Sequence, residues 1–92
     1  MNRIKTLTVR VSPGVLHQSV GEETVLLHPE GATYFGLDAV GSRIWQLLAD
    51  GDGFAEVVDT LLEEFDVERH VLEADVERLV GELVEAGLLV PK

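Results

Sequence analysis

The sequence predicts an α+β fold in which a three-stranded antiparallel sheet precedes three helices. Three observations carry that reading. Leu7, Val9 and Val11 alternate with Thr8, Arg10 and Ser12, the period-two pattern of a half-buried strand. Two further apolar segments, Thr24 to Leu27 and Thr33 to Leu37, flank His28-Pro29-Glu30-Gly31, which reads as the turn between paired strands. Beyond Asp38 the apolar spacing lengthens to that of helices and stays there to the end of the chain.

Taken in order, Pro13-Gly14 ends the first strand, and Val15, Leu16 and His17 form a short extended return before Gly21. In the segment 33–37, Thr33, Phe35 and Leu37 share one face, while Tyr34 and Gly36 share the other. Asp38 is a good N-cap for a helix carrying Val40, Ile44, Leu47 and Leu48. Gly41 weakens the first turn of that helix and so points to a close backbone approach there. Asp50-Gly51-Asp52-Gly53 breaks it. Phe54, Val57, Val58, Leu61, Leu62 and Phe65 then form the stripe of a second helix. Asp66 is expected to cap a third, whose stripe is Leu72, Val76, Leu79, Val80, Leu83 and Val84. Gly87 ends it, and Leu88 to Val90 tuck back against the body. Trp45, Phe54 and Phe65 read as core aromatics. The last two helices stand in a helix-turn-helix relation, so the whole is winged-helix-like with the wing moved to the front.

Ninety-two residues predict a single domain, 1–92, burying about 60–65% of its unfolded surface. Hydrophobic residues at 46% against 26% charged exclude a disordered chain. No apolar run is long enough to span a bilayer. The basic start Met1 to Lys5 is followed by no apolar stretch or cleavage site, so a cytoplasmic protein is expected. Without cysteine there is no disulfide, thiolate metal site or cysteine nucleophile.

Charge is uneven. The first twenty residues hold Arg3, Lys5 and Arg10 and no acid, whereas four cations face all 17 acids in the remainder. The net charge of −10 disfavours nucleic acid and anionic lipid as partners and favours neutral or basic ones.

Chemical motifs fail one by one. Asp50-Gly51-Asp52-Gly53 opens like a calcium loop, but Phe54, Ala55 and Leu61 stand where a ligand, a glycine and a glutamate are needed. His17, His28 and His70 have no metal-ligand spacing. Ser12, Ser19 and Ser42 lack a nucleophile-elbow context. No phosphate loop is present. The chain therefore reads as a non-enzyme with no cofactor and no metal. A DNA reader would need cations on its third helix, which instead shows Glu73, Asp75, Glu77, Glu82 and Glu85 against Arg78.

What remains is the strand 33–37, placed to end the sheet with its main-chain groups free beside an apolar helix. That is a receptor for an extended peptide. The strand residues expected to bind it are Ala32, Thr33, Tyr34, Phe35 and Gly36; those on the last helix are Asp75, Val76, Leu79, Val80 and Leu83. Asp75 and Glu82 would pair with basic guest residues. The stripe residues Val76, Val80 and Leu83 fit either a groove wall or the core.

The order Leu26-Leu27-His28-Pro29-Glu30-Gly31, Tyr34-Phe35, Leu37-Asp38, Gly41, Ile44-Trp45, Leu47-Leu48, and then Asp75-Val76, Leu79-Val80, Leu83 and Gly87-Leu88-Leu89 resembles the PqqD-like peptide chaperones. These are the recognition elements for ribosomally made, post-translationally modified peptides, and the resemblance spans nearly the whole chain. Gly41-Ser42-Arg43-Ile44-Trp45 and a standalone length look most like the leader-binding proteins of lasso-peptide biosynthesis. The resemblance implies that a precursor's leader docks antiparallel beside Tyr34 to Leu37, with side chains entering the cleft toward the last helix. It also implies a transglutaminase-like cysteine protease of the same pathway as partner. The His28-Pro29-Glu30-Gly31 turn is similar to that of the pyrroloquinoline quinone chaperone, which serves a radical enzyme. That branch is the alternative reading, and a winged-helix DNA-binding regulator is a remote one. Asp38 stands where many relatives carry Asn and keeps the capping role.

Overall fold

The structure is a computed structural model that describes residues 8–30 and 33–91. In chain order its elements are β1 (Val9–Val11), β2 (Leu16–Val20), β3 (Glu23–His28), β4 (Thr33–Leu37), α1 (Ala39–Ala49), α2 (Phe54–Glu64), α3 (Arg69–Glu85) and β5 (Leu89–Pro91). The α+β class and the three-stranded antiparallel sheet ahead of three helices hold, but the strands are assigned differently. The sheet is β2-β3-β4, and β1 pairs antiparallel with β5 instead. Only a short return at Val15 to His17 was expected before Gly21, but Leu16 to Val20 pair with β3. They form a full strand because Gly21, at φ +63°, turns the chain in two residues and sets Val20 opposite Glu23.

Two devices join β1 and β5. Gly87, at φ +79°, lets the Leu88 N–H reach the Leu83 carbonyl at 2.9 Å and its own N–H reach that of Val84 at 3.0 Å. This closes α3 with a Schellman turn. Buried Ser12 then donates from Oγ to the Gly87 carbonyl at 2.5 Å and from its N–H to that of Leu88 at 3.0 Å. The residues expected to tuck back are therefore a strand clamped to the first one.

The core lies between the helices and one face of the sheet. Leu26 and Leu37 from the sheet meet Ile44, Trp45 and Leu48 of α1, Val57, Val58 and Leu61 of α2, and Leu72, Val76, Val80 and Leu83 of α3. Phe54 is buried with them, while Phe65 is only partly buried at the end of α2. One cap differs from expectation: α3 starts at Arg69 with Glu68 as N-cap, not at Asp66. The Val67 N–H bonds to the Phe65 carbonyl at 3.1 Å, so the chain takes a tight turn before the helix begins. No described helix is long and apolar enough to cross a membrane.

Candidate functional site

The site begins at the edge of the sheet. β3 pairs with β4 from Thr24 opposite Leu37 to His28 opposite Thr33. Among the described residues no strand pairs with the other side of β4. An edge strand of an antiparallel sheet turns every second residue's N–H and C=O outward, so these groups meet solvent or a guest.

Beside that edge lies a gap. Among the described residues, no Cα of α3 comes within 8 Å of a Cα of β4. The opening is a cleft of about 670 Å³, counting the solvent at its mouth, lined by Phe35 to Asp38, by Val40, Gly41 and Ile44 of α1, and by Asp75, Arg78, Leu79 and Glu82 of α3. Its walls are apolar at the bottom and charged at the lip. The lip holds Asp38, Asp75 and Glu82 against one cation, Arg78, whose guanidinium bonds Glu82 at 3.2 Å. A second, shallower hollow continues past Phe35 to Glu82, Glu85 and Ala86.

Local sequence explains the floor. Asp38 follows β4 directly and accepts from the Gly41 N–H at 2.8 Å through Oδ1, capping α1. The turn this makes is tight. A Cβ on Gly41 would sit 3.2 Å from Asp38 Oδ1 and 3.4 Å from Leu37 Cδ2. The neighbours at Gly41 are side chains rather than the backbone expected there, and a larger residue would crowd the cap and the cleft floor.

Of the residues named from sequence, Phe35, Gly36, Asp75 and Leu79 come together in this cleft. Thr33 contributes backbone to the same edge. Ala32 lies outside the described residues. Tyr34 is on the strand, but its side chain is 73% exposed on the opposite face of the sheet. Val76, Val80 and Leu83 do not line the cleft: at 0%, 3% and 0% exposure they are core residues. Val76, Val80 and Leu83 form the row of α3 that turns into the core, which leaves the neighbouring Asp75–Leu79–Glu82 row for the cleft. Leu37, beside which the leader was expected to dock, and Glu82, expected to pair with a basic guest residue, line it too; sequence reasoning did not place Asp38, Val40, Gly41 and Ile44, which bring α1 and its cap into the site, or Arg78. The glycine in the first helical turn was the signal for that floor.

Away from the cleft, Arg43 grips Glu64 through two bonds of 2.8 and 2.7 Å and ties α1 to the end of α2. The bond from Arg43 holds the Glu64 carboxyl below its ordinary range, and the bond to Glu64 raises the Arg43 guanidinium. The three histidines sit on β2, β3 and α3, and among the described residues no group of His, Asp or Glu is placed to hold a metal ion.

This geometry has known counterparts. The structure of TbiB1 in complex with the TbiA(beta) leader peptide is 42% identical, with a TM-score of 0.82 over 87% of this chain and 93% of that one. A lasso peptide synthetase B1 complexed with the leader peptide is 32% identical, with a TM-score of 0.83 over 91% of this chain and 99% of that one. No curated protein sequence matches. The family model of coenzyme PQQ synthesis protein D matches residues 23–89, which takes in the open edge, the capped helix and both walls of the cleft. By that match, and by its likeness to TbiB1 over most of its length, the chain belongs to the PqqD family.

Proposed function

We propose that this protein is a non-catalytic, cytoplasmic adaptor that binds the leader of a ribosomally made precursor by strand addition and presents it to the lasso-pathway leader peptidase. The observation that carries this reading is the edge of β4, left without a strand partner among the described residues and standing across an open cleft from α3. Main-chain bonds along 33–37 give affinity that is indifferent to sequence, and the cleft selects side chains. Both aligned structures hold a leader peptide, which supports the same class of guest here. The family match to the quinone-pathway protein favours a second reading, in which the guest is that pathway's precursor and the enzyme served is different.

The binding residues on this reading are Thr33 to Gly36 along the edge and Asp75 and Leu79 across from them, joined by Gly41 and Arg78. The test is a titration with the leader of the chain's own precursor, in unmodified form and N-methylated at every second peptide bond. Methylation of the residues facing β4 should weaken binding at least tenfold, and methylation of the alternate set should not. Equal affinity for all three peptides would reject strand addition.

A further inference from the structure

The sheet has two outer strands, and the leader-binding reading uses only one of them. At the other end of β2-β3-β4, no strand pairs with the far side of β2 among the described residues. All five residues of β2 are exposed, and β2 approaches no described element except β3. The register shows which of its main-chain groups are free. Val20 and Glu23 flank the two-residue turn, so they exchange both main-chain bonds, as do Gln18 with Val25 and Leu16 with Leu27. The alternate residues, His17 and Ser19, turn both N–H and C=O away from β3.

Sheet edges are ordinarily protected from pairing with another chain by a lysine, an inward charge or a proline. β2 has none of these. Residues 11–21 hold no Lys, Arg, Asp or Glu, in a chain that is 26% charged. The strand is also chemically palindromic: Leu16-His17-Gln18-Ser19-Val20 reads apolar, polar, amide, polar, apolar from either end. An antiparallel second copy centred on Gln18 therefore matches it throughout. His17 of each copy meets Ser19 of the other as a hydrogen-bonded pair, which satisfies every outward group on both strands. Leu16, 60% exposed, meets Val20 of the other copy, 62% exposed, and the two Gln18 amides meet at the two-fold axis. Sliding the pairing to centre on His17 or on Ser19 would set Leu16 or Val20 against Gln18 instead.

Charge admits this occupant despite the net −10 of each chain. In the Gln18-centred register the turn holding Glu22 lies toward Pro13 to Val15 of the other copy, which carry no charge, so acid does not face acid along the seam. We propose that two copies of this chain pair antiparallel through β2, centred on Gln18, and join their sheets into one of six strands. Both β4 edges then lie at the outer ends, so the dimer presents two guest sites and neither competes with the pairing. The inference stands on the edge of β2 and goes beyond the leader-binding reading. A seam of five residues buries little area, so the association is reversible and concentration-dependent.

The experiment follows the mass of the full chain by sedimentation velocity from micromolar to millimolar concentration. The parent is expected to rise from 10.1 kDa toward twice that mass. Gln18→Lys or Gln18→Glu sets like charges opposite each other at the axis, and each should weaken association at least tenfold. An equal mixture of the two should dimerise again, because position 18 meets position 18. Gln18 is exposed, so both variants keep the fold, which circular dichroism checks. Ser19→Pro removes an N–H that β3 does not use and should leave a monomer. A parent that stays at 10.1 kDa throughout would overturn the proposal, and so would a mixture of the charge variants that fails to dimerise. A dimer that leader dissociates would place the second copy on the β4 edge, against the proposal. A parent that dimerises in this way but binds no leader would uphold the pairing and reject the leader-binding reading.

Discussion

At the scale of single residues, the cleft is maintained by a missing side chain. Gly41 is in the first turn of α1, where any other residue except proline would form helix more readily, by up to about 1 kcal/mol. Its Cβ would fall 3.2 Å from the carboxylate that caps the helix. Gly41→Leu is expected to fill the floor and weaken leader binding at least tenfold. Circular dichroism should show an unchanged helix content, because the gain in propensity offsets the local crowding. A tight-binding Gly41→Leu variant would place the guest elsewhere. Val76 shows the opposite case. It looks like a groove residue in a helical wheel, yet it is fully buried, and Val76→Asp would leave a charge without a partner in the core. That substitution should cost more than about 3 kcal/mol, a large part of the ~5–15 kcal/mol that holds a domain together. A lowered melting temperature, rather than a selective loss of binding, is the expected readout.

At the scale of elements, α1, α2 and α3 were legible because their apolar stripes run at helical spacing over two turns or more. Asp38 and Gly87 were legible because a cap and a left-handed glycine carry residue preferences of their own. β2 was under-read for a physical reason: all five of its residues are exposed, so burial imposes no alternation on Leu16 to Val20. β5 was missed as a strand because its partner lies at the other end of the chain, where no local signal reaches. Which row of α3 faces the cleft depends on where α2 packs, and periodicity alone does not rank adjacent rows. The Arg43–Glu64 bridge between α1 and α2 belongs to this scale too. Because the folded Glu64 carboxyl lies below its usual range, its contribution is present above the ordinary carboxylate range and disappears as pH falls through the lowered value. Melting temperatures measured from pH 7 down to 3 should therefore fall slightly more steeply for the parent than for Glu64→Gln. Both groups are exposed, so the difference is small.

For the molecule as a whole, the net charge of −10 separates the candidate partners. Lip pairs such as Asp75 or Glu82 with a basic guest residue contribute only about 0.2–1 kcal/mol each and are screened by salt. Raising salt from about 50 to 500 mM should accordingly weaken leader binding only a few-fold, since the Debye length merely shortens from roughly 14 to 4 Å. Main-chain bonds and apolar contacts carry the rest. Retention on duplex DNA should be absent even at the lower salt, and a gel shift checks it. A hundredfold salt effect on the leader would mean that ion pairing, not strand addition, dominates. The site's two walls are also unequally anchored. β4 runs into α1 through Asp38 alone, so one wall is a continuous piece of chain. α3 is riveted at its C-terminal end by backbone and Ser12 bonds, whereas toward its N-terminal end it is held by the packing of Leu72 and Val76 and an exposed Arg69–Asp59 pair of 2.8 Å. The aperture should therefore dilate like a clothes-peg, widening near Asp75 while staying pinched near Ala86. Bulky or branched anchors should then be admitted at the first end and gauged by size at the second.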